Sequence, residues 1–375
     1  MKFSMATADA LAAVQDVSRV TSSRSPTLAF KLVTLTAEGS AVTFFAAGEF
    51  VYETKRAAEV TASGTVNVFA DKLAEILSAL GKGDAGTVEI QMDASGDVLT
   101  LKSGTSRFRV YTVPTPGEVR AFDDAALPNR YTATAAVIKS KFGAVVHATA
   151  TEASRYALCA VNVWATPSEI STAATDGRRL AIYGKPIKSG AIAMFPYQFV
   201  ELACKVKVAP EEIVTLAFSD RLARVYFGDT AIQCPLVEGA FPPIDGVIPD
   251  TAVYQYTVDP AAFVSALKQA SSLTSEESRG VRFTFEGRKL HLRSRSPEVG
   301  DAEIEMDVET VTGKGAFTIA VNPSYLLTAL GDIDAGKLTL SFTQANRPLV
   351  LTCENLKDYK LVVMPVNLLD AEESK

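Results

Sequence analysis

Apolar and polar residues alternate along much of the chain, and such alternation predicts half-buried β-strands. The runs 88–92 and 338–342 carry an apolar residue at every second position. Between the alternating runs lie segments with helix-like spacing of apolar residues, such as Asp71 to Leu80. The pattern therefore predicts an α+β protein in which short helices pack on antiparallel sheets.

The helix-like segments recur at a nearly constant distance. Three of them begin near residues 3, 131 and 256, and a second set aligns on residues 70, 196 and 322. Both sets give a period of about 125 residues, and two independent marks with one period indicate internal duplication. We therefore predict three copies of one unit, with domains at 1–125, 128–250 and 253–375. Each unit should place two helices on one face of its sheets.

Particular residues mark where the predicted helices begin and end. Thr7, Asp71, Pro260 and Asn322 stand at helix starts, where polar caps and proline are favoured. Gly81 follows a helix-like run and is predicted to be a C-cap. The glycines that follow it resemble a dinucleotide-binding loop, but such a loop must come after a strand and before a helix.

Composition and charge restrict the class of protein. Hydrophobic residues make up 47% of the chain, which excludes a disordered protein. The net charge of −6 argues at first against a partner such as nucleic acid. The predicted helices, however, carry a small net positive charge within an acidic remainder. Asp9 and Asp16 interrupt the first apolar run, and no run is long enough to span a membrane, so we expect a cytoplasmic protein.

Residues suited to catalysis or metal binding do not cluster in the sequence. The cysteines are scattered singly among apolar neighbours, as buried reduced thiols would be. His147 and His291 lie far apart, so no spacing supports a zinc site. No cofactor or metal is expected, although an enzyme with its active site at a domain junction is a rival class.

Three segments together carry a specific resemblance. They are ATDGRRLA at 174–181, EGAFPPIDGVIP at 238–249 and YKLVVMPVNL at 359–368. They resemble motifs of the bacterial DNA polymerase III β subunit family, the sliding clamps. The resemblance extends over the whole chain and agrees with the threefold repeat.

The resemblance implies three DNA-clamp domains per chain and a head-to-tail homodimer that closes into a ring, with helices lining the hole. Such a ring encircles duplex DNA without reading its sequence. It tethers DNA polymerase III subunits, the clamp loader and other clamp-motif proteins, and has no enzymatic activity. The alternative is a specialised clamp-like scaffold that binds partner peptides outside the main replication role.

The family binds short QLxLF-like peptides in a cleft between its second and third domains. The resemblance implies that the following residues form that cleft: Leu158, Thr175, Gly177, Arg178, Arg179, Leu180, Pro242, Val247, Asn322, Tyr325, Val362, Met364, Pro365 and Val366. Leu180 and Val362 could equally be ordinary core residues, and Gly177 could be only a turn residue. Asp176 is expected to brace the loop instead of contacting a ligand.

Two further sets of residues follow from the resemblance. The DNA-facing set is Arg24, Lys139, Lys141, Lys205, Lys207 and Lys268, each of which could instead be an ordinary solvated charge. The set at the subunit interface is Arg107, Phe108, Arg109 and Val110 on one chain, against Ser272, Leu273, Asp301, Glu303 and Glu305 on the other. The opposite charges of the two halves would favour head-to-tail pairing.

The chain departs from the family pattern at several positions. Tyr197 and Gln198 stand where basic residues are frequent, which weakens the expectation of DNA contact from that helix. Gly246 and Asn367 replace residues that are often basic in the cleft, and Ser278 replaces a frequent aromatic. Partner choice or cleft affinity is therefore expected to differ from that of other family members.

Overall fold

The computed structural model describes residues 1–81, 86–115, 127–152, 158–244, 246–249, 251–274, 280–331 and 335–367. The described chain forms two compact units, one of residues 1–138 and 202–236, the other of residues 139–201 and 237–375. In the described residues, no helix has the length and apolar character needed to cross a membrane.

The first repeat has a strand, a helix, five strands, a second helix and three further strands. Its elements are β1 (Lys2–Ala6), α1 (Thr7–Val17), β2 (Leu32–Glu38), β3 (Ala41–Ala47), β4 (Val51–Ala57), β5 (Glu59–Ala62), β6 (Gly64–Phe69), α2 (Ala70–Leu80), β7 (Thr87–Met92), β8 (Val98–Ser103) and β9 (Ser106–Tyr111). Two short 3₁₀ segments, Ser18–Val20 and Leu28–Lys31, lie between α1 and β2.

The second repeat follows the same order with one strand fewer before its second helix. Its elements are β10 (Asn129–Thr134), α3 (Ala135–Val146), β11 (Ala160–Ala165), β12 (Ile170–Thr175), β13 (Arg179–Tyr183), β14 (Ala191–Pro196), α4 (Tyr197–Lys205), β15 (Ile213–Phe218), β16 (Leu222–Phe227) and β17 (Thr230–Pro235).

The third repeat returns to the order of the first. Its elements are β18 (Tyr254–Val258), α5 (Pro260–Ser271), β19 (Val281–Glu286), β20 (Lys289–Ser296), β21 (Gly300–Asp307), β22 (Glu309–Thr312), β23 (Phe317–Val321), α6 (Pro323–Leu330), β24 (Leu338–Phe342), β25 (Leu349–Cys353) and β26 (Tyr359–Val363). Helices and strands thus recur with the period that the sequence predicts.

The first compact unit contains two antiparallel sheets. One has the order β5-β1-β7-β8-β9 and comes entirely from the first repeat. The other has the order β10-β15-β16-β17-β4-β3-β2-β6. This sheet crosses a repeat boundary where β17 pairs with β4 and Gln233 lies opposite Val51. Backbone hydrogen bonds therefore join the first and second repeats directly.

The second compact unit repeats this arrangement. Its larger sheet has the order β14-β11-β12-β13-β26-β25-β24-β18-β22, and its smaller sheet has the order β21-β20-β19-β23. The second and third repeats meet where β13 pairs with β26, with Leu180 opposite Val362. Each repeat boundary is thus a continuous antiparallel sheet.

Each helix buries one face against a sheet or a neighbouring helix. In α2, Leu73 and Leu77 are fully buried, and α1 packs beside α2. Phe263 and Leu267 of α5 are equally buried, and α6 packs beside that helix. Full burial of each such side chain contributes about 2 kcal/mol, so the apolar face fixes the position of the helix.

All four helices begin at or next to the predicted residues, but only two of them begin with a side-chain cap. The carboxylate of Asp259 caps α5 by accepting from the Ala262 N–H, with Pro260 as the first helical residue, and the Asn322 side chain caps α6. Thr7 and Asp71, in contrast, are not caps, because β1 and β6 run straight into α1 and α2. Gly81 is the predicted C-cap, and its N–H donates to the Leu77 carbonyl.

Candidate functional site

The predicted cleft residues all belong to the second compact unit, in which Leu180 and Val362 stand at the junction of β13 and β26. Leu180 and Val362 face each other across this strand pair and are almost fully buried. They form one core cluster with Trp164, Ile182 and other residues of the sheet. These two residues therefore belong to the hydrophobic core, and at most their edges form the floor of a groove.

A tight turn precedes β13 and is held by its own side chains. The Asp176 carboxylate accepts from the backbone N–H groups of Arg178 and Arg179 at 2.8 and 2.9 Å. Thr175 accepts from the Gly177 N–H and donates to the Arg179 carbonyl. Gly177 has a φ of 86°, which favours glycine. The prediction that Asp176 braces the loop is confirmed.

The Arg179 side chain links this turn to α6. Its guanidinium lies 4.7 Å from the centre of the Tyr325 ring and donates to the Thr328 hydroxyl at 2.7 Å. The same group forms an ion pair with Asp176, with 3.2 Å between nitrogen and oxygen. Because this arginine is 12% exposed, the cation–π contact is partly desolvated and positions α6 beside β13.

The segment after β26 runs along the side of this site. The Met364 N–H donates to the Arg178 carbonyl, and the Val366 N–H donates to the Ala320 carbonyl, both at 2.9 Å. The Met364 side chain is 41% exposed although its backbone is fixed. A flexible thioether on a fixed strand can adapt to different apolar ligands.

The connection between the second and third repeats covers one side of the cluster. Phe241, Ile244 and Ile248 pack against it, and the Phe241 ring meets the Trp164 indole edge-on at 6.1 Å. Pro242 lies within this connection, as does the exposed Val247. We call the surface bounded by Gly177, Tyr325, Met364, Pro365 and this connection the groove.

Two buried polar groups lie near the base of Arg179. The Nε2 of His147 is 3.1 Å from the Ala144 carbonyl and 3.4 Å from the Tyr359 hydroxyl, while its Nδ1 has no partner among the described residues. Burial lowers the pKa of His147 to about 4, and the positive charge of Arg179 acts in the same direction. Burial also raises the pKa of Tyr359. The imidazole is therefore neutral at physiological pH.

The predicted DNA-facing residues differ in their surroundings. Arg24, Lys207 and Lys268 are exposed, and Lys207 lies two residues beyond the end of α4. The Lys141 ammonium instead lies 3.8 Å from the centre of the Tyr183 ring, and burial lowers its pKa. This contact favours a structural role for Lys141. Lys139 is half-buried on α3, and Lys205 is exposed as the last residue of α4.

One half of the predicted subunit interface lies on β9, which is an edge strand. Arg107 and Arg109 are exposed on one face, and Phe108 and Val110 are half-buried on the other. Tyr111, at the end of the strand, is 81% exposed. An unpaired edge that carries apolar and basic side chains is a ready site for adding another strand.

The other half lies on β21, the edge of the four-stranded sheet, beside α5. Its acidic residues face basic residues of β20 in register: Lys289 opposite Asp307, His291 opposite Glu305, Arg293 opposite Glu303, and Arg295 opposite Asp301. Lys289 approaches Glu305 at 2.7 Å and lowers its pKa, and Arg293 approaches Glu303 at 2.8 Å. The carboxylates predicted to meet a partner are thus partly neutralised within the chain. Ser272 and Leu273 lie just after α5, with Ser272 as its C-cap.

The sequence did not single out several residues that build the site. Trp164, Phe241 and Thr328 support the groove from elements far apart in the chain. The apolar residues of the 238–249 segment were the one signal that could have identified Phe241. Ser278 and the acidic tail from residue 370 lie outside the described residues. Within the part of the chain that the structure describes, no three metal-binding side chains come together.

Comparisons with known proteins agree with this architecture. The family models for the DNA polymerase III beta subunit match residues 1–117 with the N-terminal domain, 133–243 with the central domain and 245–367 with the C-terminal domain. The beta sliding clamp of Caulobacter vibrioides is 26% identical over 98% of this chain and 100% of its own length. That of Proteus mirabilis is 27% identical over 81% of this chain and 82% of its own.

Solved structures show the same fold. A Pseudomonas aeruginosa sliding clamp bound to griselimycin is 23% identical and superposes with a TM-score of 0.89 over 98% of this chain and 100% of its own. The clamp from the same organism with a ligand gives a TM-score of 0.88 at the same identity and coverage. Since the three family models together match most of the chain, the protein belongs to the DNA polymerase III beta subunit family.

Proposed function

We propose that this protein is a DNA sliding clamp without catalytic activity of its own. Two chains close head to tail into a ring around duplex DNA, and partner proteins bind through the groove. The observation that carries the proposal is the succession of three clamp domains along one chain, each matched by its own family model. The curated relatives, which are named beta sliding clamps, are matched over 100% and 82% of their own length.

The sheet edges that have no further strand among the described residues support ring closure. Within the chain, the last strand of one repeat pairs with the fourth strand of the repeat before it. β17 pairs with β4, and β26 pairs with β13. By their place in the repeat, β9 corresponds to β17 and β26, and β21 corresponds to β4 and β13. A second copy that pairs its β21 with β9 therefore repeats a junction that the chain already forms twice.

Charge also supports this pairing. Arg107 lies directly opposite Lys102 in the sheet, and two like charges at such a position repel each other. Glu303 and Glu305 on β21 of a second copy would supply carboxylates to the basic side chains of β9. Within their own chain these carboxylates already form ion pairs with Arg293 and Lys289. Such a row of alternating charges contributes more to the relative orientation of the two chains and to their rate of association than to their affinity.

The groove has the chemistry of a peptide site. The exposed Met364 and Val247 offer apolar contacts, and the Tyr325 ring is held in place by Arg179. Short peptides that place large apolar side chains in such a surface bind through a few dominant contacts. DNA polymerase III subunits, the clamp loader and other clamp-motif proteins are the proposed partners.

Contact with DNA is proposed to be weak and independent of sequence. The exposed Arg24, Lys205, Lys207 and Lys268 are the basic side chains proposed to approach phosphates. Non-specific phosphate contacts allow sliding, since each contact is replaced by an equivalent one along the duplex. Gln198, exposed near the start of α4, adds no charge to that helix.

Retention on circular DNA tests the proposal. The protein is loaded on nicked circular plasmid with a bacterial clamp loader and passed over a gel-filtration column, and the same sample is then linearised. A ring stays on the circle and is lost from the linear form. Equal retention on both forms would show ordinary binding and refute the topological function.

A variant pair links retention to the proposed edges. Arg109→Glu reverses a charge on β9 and is expected to weaken the dimer and lower retention on circles. Arg130→Glu makes the same change at an exposed position of β10, which belongs to a different sheet from β9 and from β21, and should behave as wild type. If the groove binds peptides but neither protein is retained on circles, the alternative of a clamp-like scaffold is supported.

A further inference from the structure

A cavity lies at the boundary between the first and second repeats. It has a volume of about 370 Å³ and is lined by residues of β2, β3, β4 and β6 together with β16 and β17. We call it the junction cavity. It lies wholly within the first compact unit and shares no residue with the groove. Its volume is in the range of pockets that hold small ligands or a few side chains.

The walls of the junction cavity are mainly apolar. Leu32 and Val51 are nearly fully buried, and Phe30, Phe45 and Leu222 are half-buried. The small residues Ala46, Ala47 and Gly48 form another side and leave the space open. Position 48 requires glycine, because a Cβ there would collide with the Val20 carbonyl oxygen. The open space is therefore built into the turn between β3 and β4.

The polar residues of the lining are not equivalent. Asn67 is satisfied, since its oxygen accepts from Thr34 at 2.6 Å and its nitrogen donates to Val113 and Thr115. Gln233 is only 4% exposed, and its oxygen accepts from the Arg224 guanidinium at 2.6 and 3.2 Å. Its amide nitrogen carries N–H donors on the wall of the cavity. The cavity thus offers a hydrogen-bond donor to an occupant.

Charge distinguishes this cavity from the groove. β4 and β13 hold equivalent places, each pairing with the last strand of a later repeat. The turn before β13 carries Arg178, and Arg179 begins that strand, whereas the turn before β4 carries Glu49. Glu49 is the one charged residue among the described residues of the lining. A ligand with a positive charge beside its apolar part is therefore favoured here.

We propose that the junction cavity is a second peptide site, which takes an extended segment of a partner protein with a large apolar side chain next to lysine or arginine. The apolar side chain fills the space between Phe30, Phe45 and Leu222. A backbone carbonyl of the segment accepts from the Gln233 amide nitrogen. The basic side chain lies beside Glu49. The groove and the junction cavity would then hold different partners at the same time.

Fluorescence anisotropy with two labelled octapeptides tests this proposal on the full-length protein. One peptide has Ile-Phe-Lys at its centre, and the other has Ile-Phe-Glu. Saturating unlabelled QLxLF-like peptide is present throughout to occupy the groove. The lysine peptide should bind saturably and about fivefold or more tightly than the glutamate peptide, as expected for one partly exposed ion pair.

Three variants assign the binding to the cavity. Glu49→Lys, at an exposed position, should invert the preference between the two peptides. Ala47→Leu fills part of the space and should weaken both peptides about tenfold, a loss typical of an overpacked site. Glu38→Lys makes the same charge change at an exposed end of β2 outside the lining and should leave both affinities unchanged.

The outcomes separate this proposal from the clamp function. Equal binding of the two peptides, or binding that Glu49→Lys and Ala47→Leu do not alter, would overturn the second site. A concentration-dependent increase in mass beyond that of the dimer, which Glu49→Lys abolishes, would overturn it in favour of a further copy of the chain. Retention on circular DNA should be the same for Glu49→Lys and wild type, so a failed peptide test leaves the ring unaffected.

Discussion

His147 provides a test of how the buried part of the site responds to pH. Its Nε2–H donates to the Ala144 carbonyl. Its Nδ1 has no hydrogen-bond partner among the described residues, so a proton added there would find no acceptor. Protonation would therefore place an unpartnered positive charge next to Arg179. Replacement by leucine removes the titrating group and keeps an apolar side chain of similar reach.

The size of the effect follows from the two pKa values. The unfolded chain binds a proton on this histidine near pH 6.5, whereas the folded chain does so only near pH 4. His147 therefore does not lower the free energy of unfolding above about pH 6.5, and this free energy falls progressively as the pH decreases towards 4. The shift limits the total loss to about 3 kcal/mol, of which about 2 kcal/mol appears between pH 7 and pH 5.

Tryptophan fluorescence during urea unfolding measures this loss in the relevant region. The chain has one tryptophan, Trp164, and it lies in the same compact unit as His147. Wild type should lose about 2 kcal/mol more than His147→Leu between pH 7 and pH 5. Tyr359→Phe removes the weak contact to Nε2 but keeps the imidazole, so this control should retain the wild-type pH dependence. An equal loss in wild type and His147→Leu would refute the proposed burial of a neutral imidazole.

Three further predictions concern the groove, the edge and a helix cap. Met364→Ala should weaken binding of a QLxLF-like peptide by about 1–3 kcal/mol in calorimetry, and unchanged affinity would place the peptide elsewhere. Tyr111→Ser should raise the dimer dissociation constant by about tenfold in sedimentation equilibrium, since it removes a large exposed apolar contact from β9; an unaltered constant would exclude Tyr111 from the interface. Asp259→Ala should cost about 1 kcal/mol through the lost α5 cap, and thermal unfolding without any decrease would contradict that role.

The local pattern of the sequence predicted most of the elements but not how the strands join. Alternation over 88–92 and 338–342 identified strands, and helix-like spacing identified α2. The caps at Thr7 and Asp71 were wrong because both residues already lie inside their helices, and the N-cap positions are occupied by Ala6 and Phe69, which have no side-chain acceptor. In both places the preceding strand continues directly into the helix.

Long-range pairing lay beyond the sequence pattern. β17 and β4 are separated by more than a whole repeat, and alternation along a strand does not specify which neighbour it takes. The contact of Arg179 with Tyr325 and Thr328 also joins residues that lie far apart in the chain. The family resemblance named Arg179 and Tyr325 as site residues, but only the structure shows that each holds the other in place.

The sheets that cross repeat boundaries also bear on how such a chain could have arisen. Four strands of the second repeat belong to a sheet with the first repeat, and its other four belong to a sheet with the third. A free-standing ancestor of one repeat would have exposed the equivalents of both β17 and β13 as open edges, which promote uncontrolled association. Copies of such a unit would cover one another's edges, as the repeats of this chain do where β17 pairs with β4 and β26 pairs with β13, and among the described residues β9 and β21 are the corresponding strands that end their sheets.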